Sequence, residues 1–290
     1  MLRRRGAGRL GQLKQCVSDF GAALRHAVDD NCFILAKAVS YSAVLALFPG
    51  LVVATNLLLR NNAQRTLDEM SLAMGAVLPP RVRGLLADYL TVAEDHSVAV
   101  LVAAAMASLV FAADLVISLM EGFRAAYRAP RRSTLLHDYG VAFILVFLSI
   151  GPLTVAHLAL ILSRQAVGWV LPRVAGSEAV NIGAVAAWWI VALPTVTLMI
   201  SLLYYLGPHR EQSWRGILPG AALAAALWAP ATGLFTLYVQ TIPRYREFYG
   251  SISAVIVLLI WTYLSSVIVL LGCEFNAVRE RRSALEPNET

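Results

Sequence analysis

The chain has 290 residues, of which 58% are hydrophobic and only 14% are charged. Soluble domains carry about 25% charged residues, so a soluble chain of this length could not cover so much apolar surface. Glycine, proline and cysteine are too few for a collagen-like, disordered or disulfide-rich protein. The net charge is +6, and the cations lie in short loops between apolar segments. That distribution favours a polytopic membrane protein without a nucleic-acid partner.

Residues 1–32 form a basic segment that precedes the first apolar run. This segment contains a polar amphipathic stretch and no pattern typical of a cleaved signal peptide, so we predict a cytoplasmic N-terminal segment. Residues 33–277 form the predicted transmembrane domain, and residues 278–290 form a short cytoplasmic tail.

Six segments reach the length of about 20 apolar residues that a bilayer-spanning helix needs. They cover residues 33–59, 98–120, 139–162, 182–206, 217–240 and 250–277. The runs are continuously apolar, whereas strands of a membrane barrel would alternate polar and apolar residues. We therefore predict an all-α fold with six transmembrane helices.

The loops predict the orientation of these spans. If the N-terminus is cytoplasmic, the inside loops and termini hold about twice as many arginines and lysines as the outside loops. With six spans, both termini then lie on the cytoplasmic side of the membrane.

The longest loop, residues 60–97, carries two apolar stripes at helical spacing on either side of Pro79 and Pro80. We predict two external amphipathic helices here. They either pack on the bundle at the membrane interface or form a lid over a cavity between the spans.

Span two holds the sharpest candidate for a functional residue. A charge at a helix centre costs about 2.5–3.5 kcal/mol, so Asp114 must face protein or water. Asp114, Ser118, Glu121 and Arg124 follow one another at steps of four, three and three residues, which places them on one helix face. This polar stripe is either structural or the wall of a polar cavity or proton path.

Two further polar pairs lie near the cytoplasmic membrane boundary. Lys37 and Tyr41 open span one, and Glu274 and Asn276 end span six. The structural interpretation places Glu274 at the interface beside Arg279. The alternative is a buried ion pair of Lys37 with Glu274 or with Asp114.

Prolines lie inside several predicted spans, and each removes a backbone hydrogen bond. They are Pro49, Pro152, Pro194, Pro219 and Pro230. Helices interrupted in this way occur at transporter binding sites, although prolines are also common in membrane helices generally.

The stretch YGSISAVIVLLIWTYL at 249–264, closing with LLGCE at 270–274, resembles the last span of the YihY/BrkB family of bacterial inner-membrane proteins. SYSAVLALFP at 40–49 resembles the first span, and RGILPGA at 215–221 resembles the fifth. The resemblance runs from about residue 20 to 278 and implies a six-span inner-membrane protein.

The family has also carried the label ribonuclease BN, which the residues of this chain do not support. Metal-dependent RNA cleavage needs histidines and carboxylates that converge on ions. The five histidines are not paired at ligand spacing, and neither an HExxH motif nor a P-loop is present. The three cysteines show no CxxC spacing. We expect no catalytic residues, no cofactor and no metal.

We therefore expect a transporter-like or lipid- and envelope-handling protein that acts on a lipid or a small solute and that could form homo-oligomers. A structural or scaffolding membrane protein is the alternative. An intramembrane enzyme is less favoured. A basic-mouthed cleft that contains Asp114 would indicate transport, a filled bundle would indicate scaffolding, and clustered carboxylates at an open site would indicate an enzyme.

Overall fold

The computed structural model describes residues 2–59, 97–130, 134–149, 151, 177–208, 210–241 and 252–285. The described residues form seven α-helices and no strand. The helices are α1 Leu2–Asp29, α2 Cys32–Leu59, α3 Val98–Ala126, α4 Leu135–Ser149, α5 Ser177–Leu206, α6 Trp214–Thr241 and α7 Ser253–Leu285.

Five of these helices, α2, α3, α5, α6 and α7, are long and apolar enough to cross a membrane. The predicted all-helical membrane architecture is thereby confirmed. Helix α4 is apolar but shorter, and the rest of the predicted third span lies outside the described residues, as do the two helices predicted over residues 60–97.

The outer surface of the bundle is apolar, as a hydrocarbon environment requires. Val102, Met106 and Val110 of α3 recur every four residues and are all exposed. A helix in water would bury such a stripe, whereas acyl chains can solvate it. The same side chains that make the chain unsuited to water thus form its lipid-facing surface.

The basic N-terminal segment forms a helix that packs against the bundle. Asn31 turns the chain between α1 and α2 with a φ of 57°, a left-handed conformation that asparagine tolerates better than most residues. Helix α1 then contacts α7 and α2, and Asp19 of α1 pairs with Arg282 of α7 at 2.5 Å. Helix α7 therefore continues past the predicted end of the span at 277 and holds α1 in place.

Helix α7 lies at the centre of the described bundle and contacts α1, α2, α3 and α6. Its closest neighbour is α6, where Gly220 and Gly272 face each other. A Cβ atom on Gly220 would lie 2.1 Å from the carbonyl oxygen of Gly272. Small residues allow such close backbone approach between membrane helices, where packing replaces the hydrophobic effect as the force of association.

One end of the bundle gathers the starts of α2 and α6 and the ends of α3, α5 and α7, and we call it the basic end. The rings of Phe123 in α3 and Tyr204 in α5 meet edge to face at 5.2 Å. The Tyr204 hydroxyl donates to the carbonyl of Val269 in α7. Because arginines from α3, α7 and the α5–α6 connection also lie here, the basic loops predicted on one membrane side do meet at one end of the fold.

Four of the five span prolines lie inside continuous helices, so the prediction of broken helices is corrected for them. Helix α2 runs through Pro49, α5 through Pro194, and α6 through both Pro219 and Pro230. A proline removes one hydrogen bond, and in a membrane bundle neighbouring helices can satisfy the groups that it frees. Pro152 lies outside the described residues.

Candidate functional site

Asp114, which was predicted to face protein or water, accepts a hydrogen bond from a neighbouring helix. The Tyr139 hydroxyl of α4 donates to Asp114 Oδ1 at 2.6 Å. The Ser118 hydroxyl donates to the Asp114 backbone carbonyl at 2.9 Å, within α3. Asp114 is half-buried, and its carboxylate bonds to a neighbouring helix. This geometry supports the structural interpretation of the polar stripe.

The stripe continues with half-buried Glu121 and then with Arg124, which forms a buried ion pair that the sequence analysis did not single out. Both guanidinium NH groups of Arg124 donate to the carboxylate of Asp138 in α4, at 3.0 Å and 2.5 Å. Asp138 is completely buried. A bidentate pair of this kind offsets the desolvation of both charges only because its geometry is good. The signal available in the sequence was an acid close to Arg124 across a short loop.

Lys37 forms neither of the two ion pairs proposed for it. Its side chain is exposed, and it makes no ion pair with any residue in the described ranges. Tyr41, one turn further on, is also exposed, at 61%. Lys37 instead lines a shallow pocket with Leu259, Ile260 and Tyr263 of α7, and it pairs with neither Glu274 nor Asp114.

Glu274 lies inside the bundle rather than at the interface. Its side chain is fully buried. The Cys32 thiol of α2 donates to Glu274 Oε1 with an S···O distance of 3.7 Å, and Arg281 lies 3.7 Å from Oε2. The cation that lies beside Glu274 is therefore Arg281 of the same helix, and not the predicted Arg279. Glu274 links the start of α2 to the end of α7.

Asn276 satisfies the backbone of α6 next to Pro219. Its Oδ1 accepts from the Gly220 N–H at 2.7 Å, and its Nδ2 donates to the Ile217 carbonyl at 2.8 Å. Asn276 is 2% exposed, so water cannot replace these bonds. One carboxamide thus serves one donor and one acceptor on either side of the proline. This contact also joins the RGILPGA stretch to the end of α7.

A groove of about 650 Å³ runs between α1, α6 and α7 at the basic end. Its wall on α6 is apolar, as is Phe275 of α7. The polar part of its lining includes Gln15 and Asp19 of α1 and Arg279 and Arg282 of α7. Its lining does not include Asp114. The groove therefore combines a basic mouth with an apolar floor, and it stands apart from the polar stripe.

The two arginines of the groove differ in their partners. Arg282 is neutralised by Asp19 at 2.5 Å. Arg279 lies over the ring of Phe275, 5.8 Å from the centroid, and makes no ion pair within the part of the chain that the structure describes. Arg279 is therefore the cation available to an anionic ligand. No group of three histidines, cysteines or carboxylates suited to a metal occurs among the described residues.

Comparison with known proteins agrees with this architecture. The chain is 28% identical over 252 residues to a UPF0761 membrane protein of Alkalilimnicola ehrlichii, covering 85% of this chain and 54% of that protein. It is 26% identical over 264 residues to a UPF0761 membrane protein of Pseudoalteromonas atlantica, covering 89% of this chain and 84% of that one. No solved structure matches.

A shorter match is 40% identical over 101 residues to YfkH of Bacillus subtilis, which is named a ribonuclease-like protein, and covers 35% of this chain and 36% of YfkH. The chain thus spans about a third to a half of the length of the first two relatives that it matches, YfkH and the Alkalilimnicola protein. The profile of the family described as Virulence factor BrkB matches residues 23–290. The apolar helices, their order and this match over most of the chain together show that the protein is a membrane protein of the BrkB family.

Proposed function

We propose that the chain is a transporter-like, lipid-handling protein of the bacterial inner membrane and that it acts on a lipid with an anionic headgroup. The observation that carries this proposal is the groove between α1, α6 and α7. It offers apolar walls beside an arginine that is free of acid partners among the described residues. A lipid is the ligand whose two ends match these two surfaces.

The walls of the groove leave room for an acyl chain. Ala222 and Ala226, one turn apart on α6, are exposed and line the groove beside half-buried Leu223. Two small side chains at this spacing leave a shallow channel along the helix. At its mouth, the planar guanidinium of Arg279 can hold a phosphate through two parallel hydrogen bonds.

The predicted topology supports an anionic lipid as the ligand. With both termini cytoplasmic, the basic end of the bundle lies at the inner leaflet, which is rich in anionic lipids. The groove would then open sideways into that leaflet. The sequence basis for this orientation is the twofold excess of arginine and lysine in the loops assigned to the inside.

The test compares lipid movement and lipid retention in matched variants. Protein in vesicles of phosphatidylglycerol and phosphatidylcholine is assayed for transfer of headgroup-labelled phosphatidylglycerol between leaflets. Native mass spectrometry counts the phosphatidylglycerol molecules that stay bound. Ala226→Phe fills the groove and should reduce both readouts, whereas Ala105→Phe, on the exposed surface of α3, should change neither. Equal behaviour of the two variants would contradict the proposal.

A scaffolding role is the second candidate, and the close packing of α6 on α7 favours it. The Gly220–Gly272 contact and the bonded Asp114 leave the described interior filled on this side, as expected of a structural bundle. If phosphatidylglycerol is retained in a groove-dependent way without transfer between leaflets, scaffolding with a bound lipid is the better description. The buried ion pairs give no support to a nuclease.

A further inference from the structure

A second cavity, of about 360 Å³, opens at the basic end between the end of α3, the α5–α6 connection and the end of α7. Its floor is formed by Ile217 and Asn276, which are 1% and 2% exposed. Three arginines line it: Arg210, Arg215 and Arg279. Most of the residues that line this cavity are polar or charged. The volume lies within the range of about 300–1,000 Å³ that small-molecule sites occupy.

One of the three arginines is already satisfied. Arg210 pairs with Glu280 of α7, and its guanidinium lies over the Tyr127 ring, 4.3 Å from the centroid. Burial raises the pKa of Tyr127, so this ring stays neutral and Arg210 is held by one acid only. Arg210 thus forms a fixed wall of the cavity and contributes little free charge.

The other two arginines carry charge that the protein does not neutralise. Neither Arg215 nor Arg279 makes an ion pair with any residue that the structure describes. Two guanidinium groups facing one concave space repel each other, which costs free energy that an anion between them would recover. The remaining acids on the lining are Glu211 and Glu280, so the cavity keeps an excess of one positive charge.

The backbone around these arginines is held in place before any ligand arrives. Gln212 donates to the Tyr204 carbonyl at 2.8 Å, which anchors the α5–α6 connection. The Ser213 carbonyl accepts from the Gly216 and Ile217 N–H groups at 2.9 and 3.3 Å, and Asn276 then clamps the next turn. A site built on anchored backbone spends little binding free energy on ordering itself.

We propose that this cavity binds a phosphate group between Arg215 and Arg279. The phosphate belongs either to a small soluble phosphate ester or to the headgroup of a membrane lipid, since both present the same anion to the guanidinium groups. The cavity and the groove share Arg279 and Ser283 and are otherwise lined by different residues. Arg279 stands between the two spaces, but Arg215 lines only the cavity and Ala226 lines only the groove.

The binding test uses inorganic pyrophosphate as the probe, titrated by calorimetry into the full chain in phosphatidylcholine nanodiscs at fixed ionic strength. We expect saturable binding that Arg215→Gln and Arg279→Gln each weaken about tenfold or more. Glu280→Gln should tighten binding severalfold, because it releases Arg210. Arg25→Gln removes an exposed arginine of α1 outside the cavity and should have no effect. Thermal melting of each variant shows whether it is folded.

Repeating the titration in nanodiscs that contain phosphatidylglycerol distinguishes the two sources of phosphate. Loss of pyrophosphate binding in those discs, through a competition that Arg215→Gln abolishes, would assign the site to a lipid headgroup. Unchanged binding would assign it to a soluble anion. The proposal is overturned if neither probe binds saturably, or if Arg25→Gln weakens binding as much as Arg215→Gln, which would indicate a nonspecific effect of net charge.

Discussion

Among the glycines that the structure describes, Gly220 leaves the least room for a side chain, because it packs against Gly272. A Cβ atom at position 220 would lie 2.1 Å from the Gly272 carbonyl oxygen and 2.5 Å from Asn276 Cγ. Ordinary van der Waals contact needs about 3.4 Å or more. Because the first obstacle is backbone, Gly220→Ala can be accommodated only if α6 and α7 separate or if Asn276 leaves its place.

Both routes have a cost that can be worked out from the structure. Overpacking typically costs about 1–3 kcal/mol. Displacing Asn276 also breaks its bonds to the Gly220 N–H and the Ile217 carbonyl. Hydrogen bonds between membrane helices contribute about 0.6–1.7 kcal/mol each. We therefore expect Gly220→Ala to lower the free energy of unfolding by about 2–6 kcal/mol.

The measurement is reversible unfolding of the detergent-solubilised protein by SDS, followed by circular dichroism. Gly233→Ala is the matched control, because it lies in the same helix and a Cβ there would meet nothing within 4 Å. Alanine is the better helix former by about 1 kcal/mol, so the control should be neutral or slightly stabilising. If the two variants unfold at the same SDS concentration, α6 and α7 are not packed through Gly220.

Two further predictions concern single contacts, and a third concerns the membrane topology. Asp138→Asn leaves the buried Arg124 charge without its bidentate partner and should lower the free energy of unfolding by about 3–5 kcal/mol. The double variant Arg124→Met with Asp138→Leu removes both charges and should cost less. A larger loss of stability in the double variant would refute the pairing. Tyr139→Phe removes the hydroxyl that donates to the Asp114 carboxylate and should cost about 1 kcal/mol, whereas Asp114→Asn keeps an acceptor oxygen and should cost less. The same unfolding assay checks this order, and the reverse order would contradict it. A membrane-impermeant maleimide should label exposed Cys16 in inside-out vesicles and not in right-side-out ones, with Cys16→Ser as the unlabelled control; labelling from the outside would overturn the predicted topology.

The helices follow from the sequence because their cause is local. A segment of apolar residues that crosses hydrocarbon must satisfy its backbone within itself, so length and composition suffice to place α2, α3, α5, α6 and α7. The polar stripe from Asp114 to Arg124 was predictable for the same reason, since spacing along one helix sets which residues share a face. The prediction of interrupted helices was wrong for Pro219 and Pro230, because α6 runs through both. Whether a proline interrupts a membrane helix depends on neighbouring groups that its own sequence does not reveal.

Only the tertiary structure decided which polar groups meet. Tyr139 reaches Asp114, Asp138 reaches Arg124, and Cys32 rather than Lys37 reaches Glu274. These contacts depend on the rotation and depth at which one helix packs against the next, and a shift of one residue turns a helix by about 100°. The apolar pattern predicts which segments span the membrane, but it does not predict that register. The register depends on close approaches between helices, such as that of Gly220 to Gly272. Such contacts join residues far apart in the chain, so the periodicity of the sequence does not predict them.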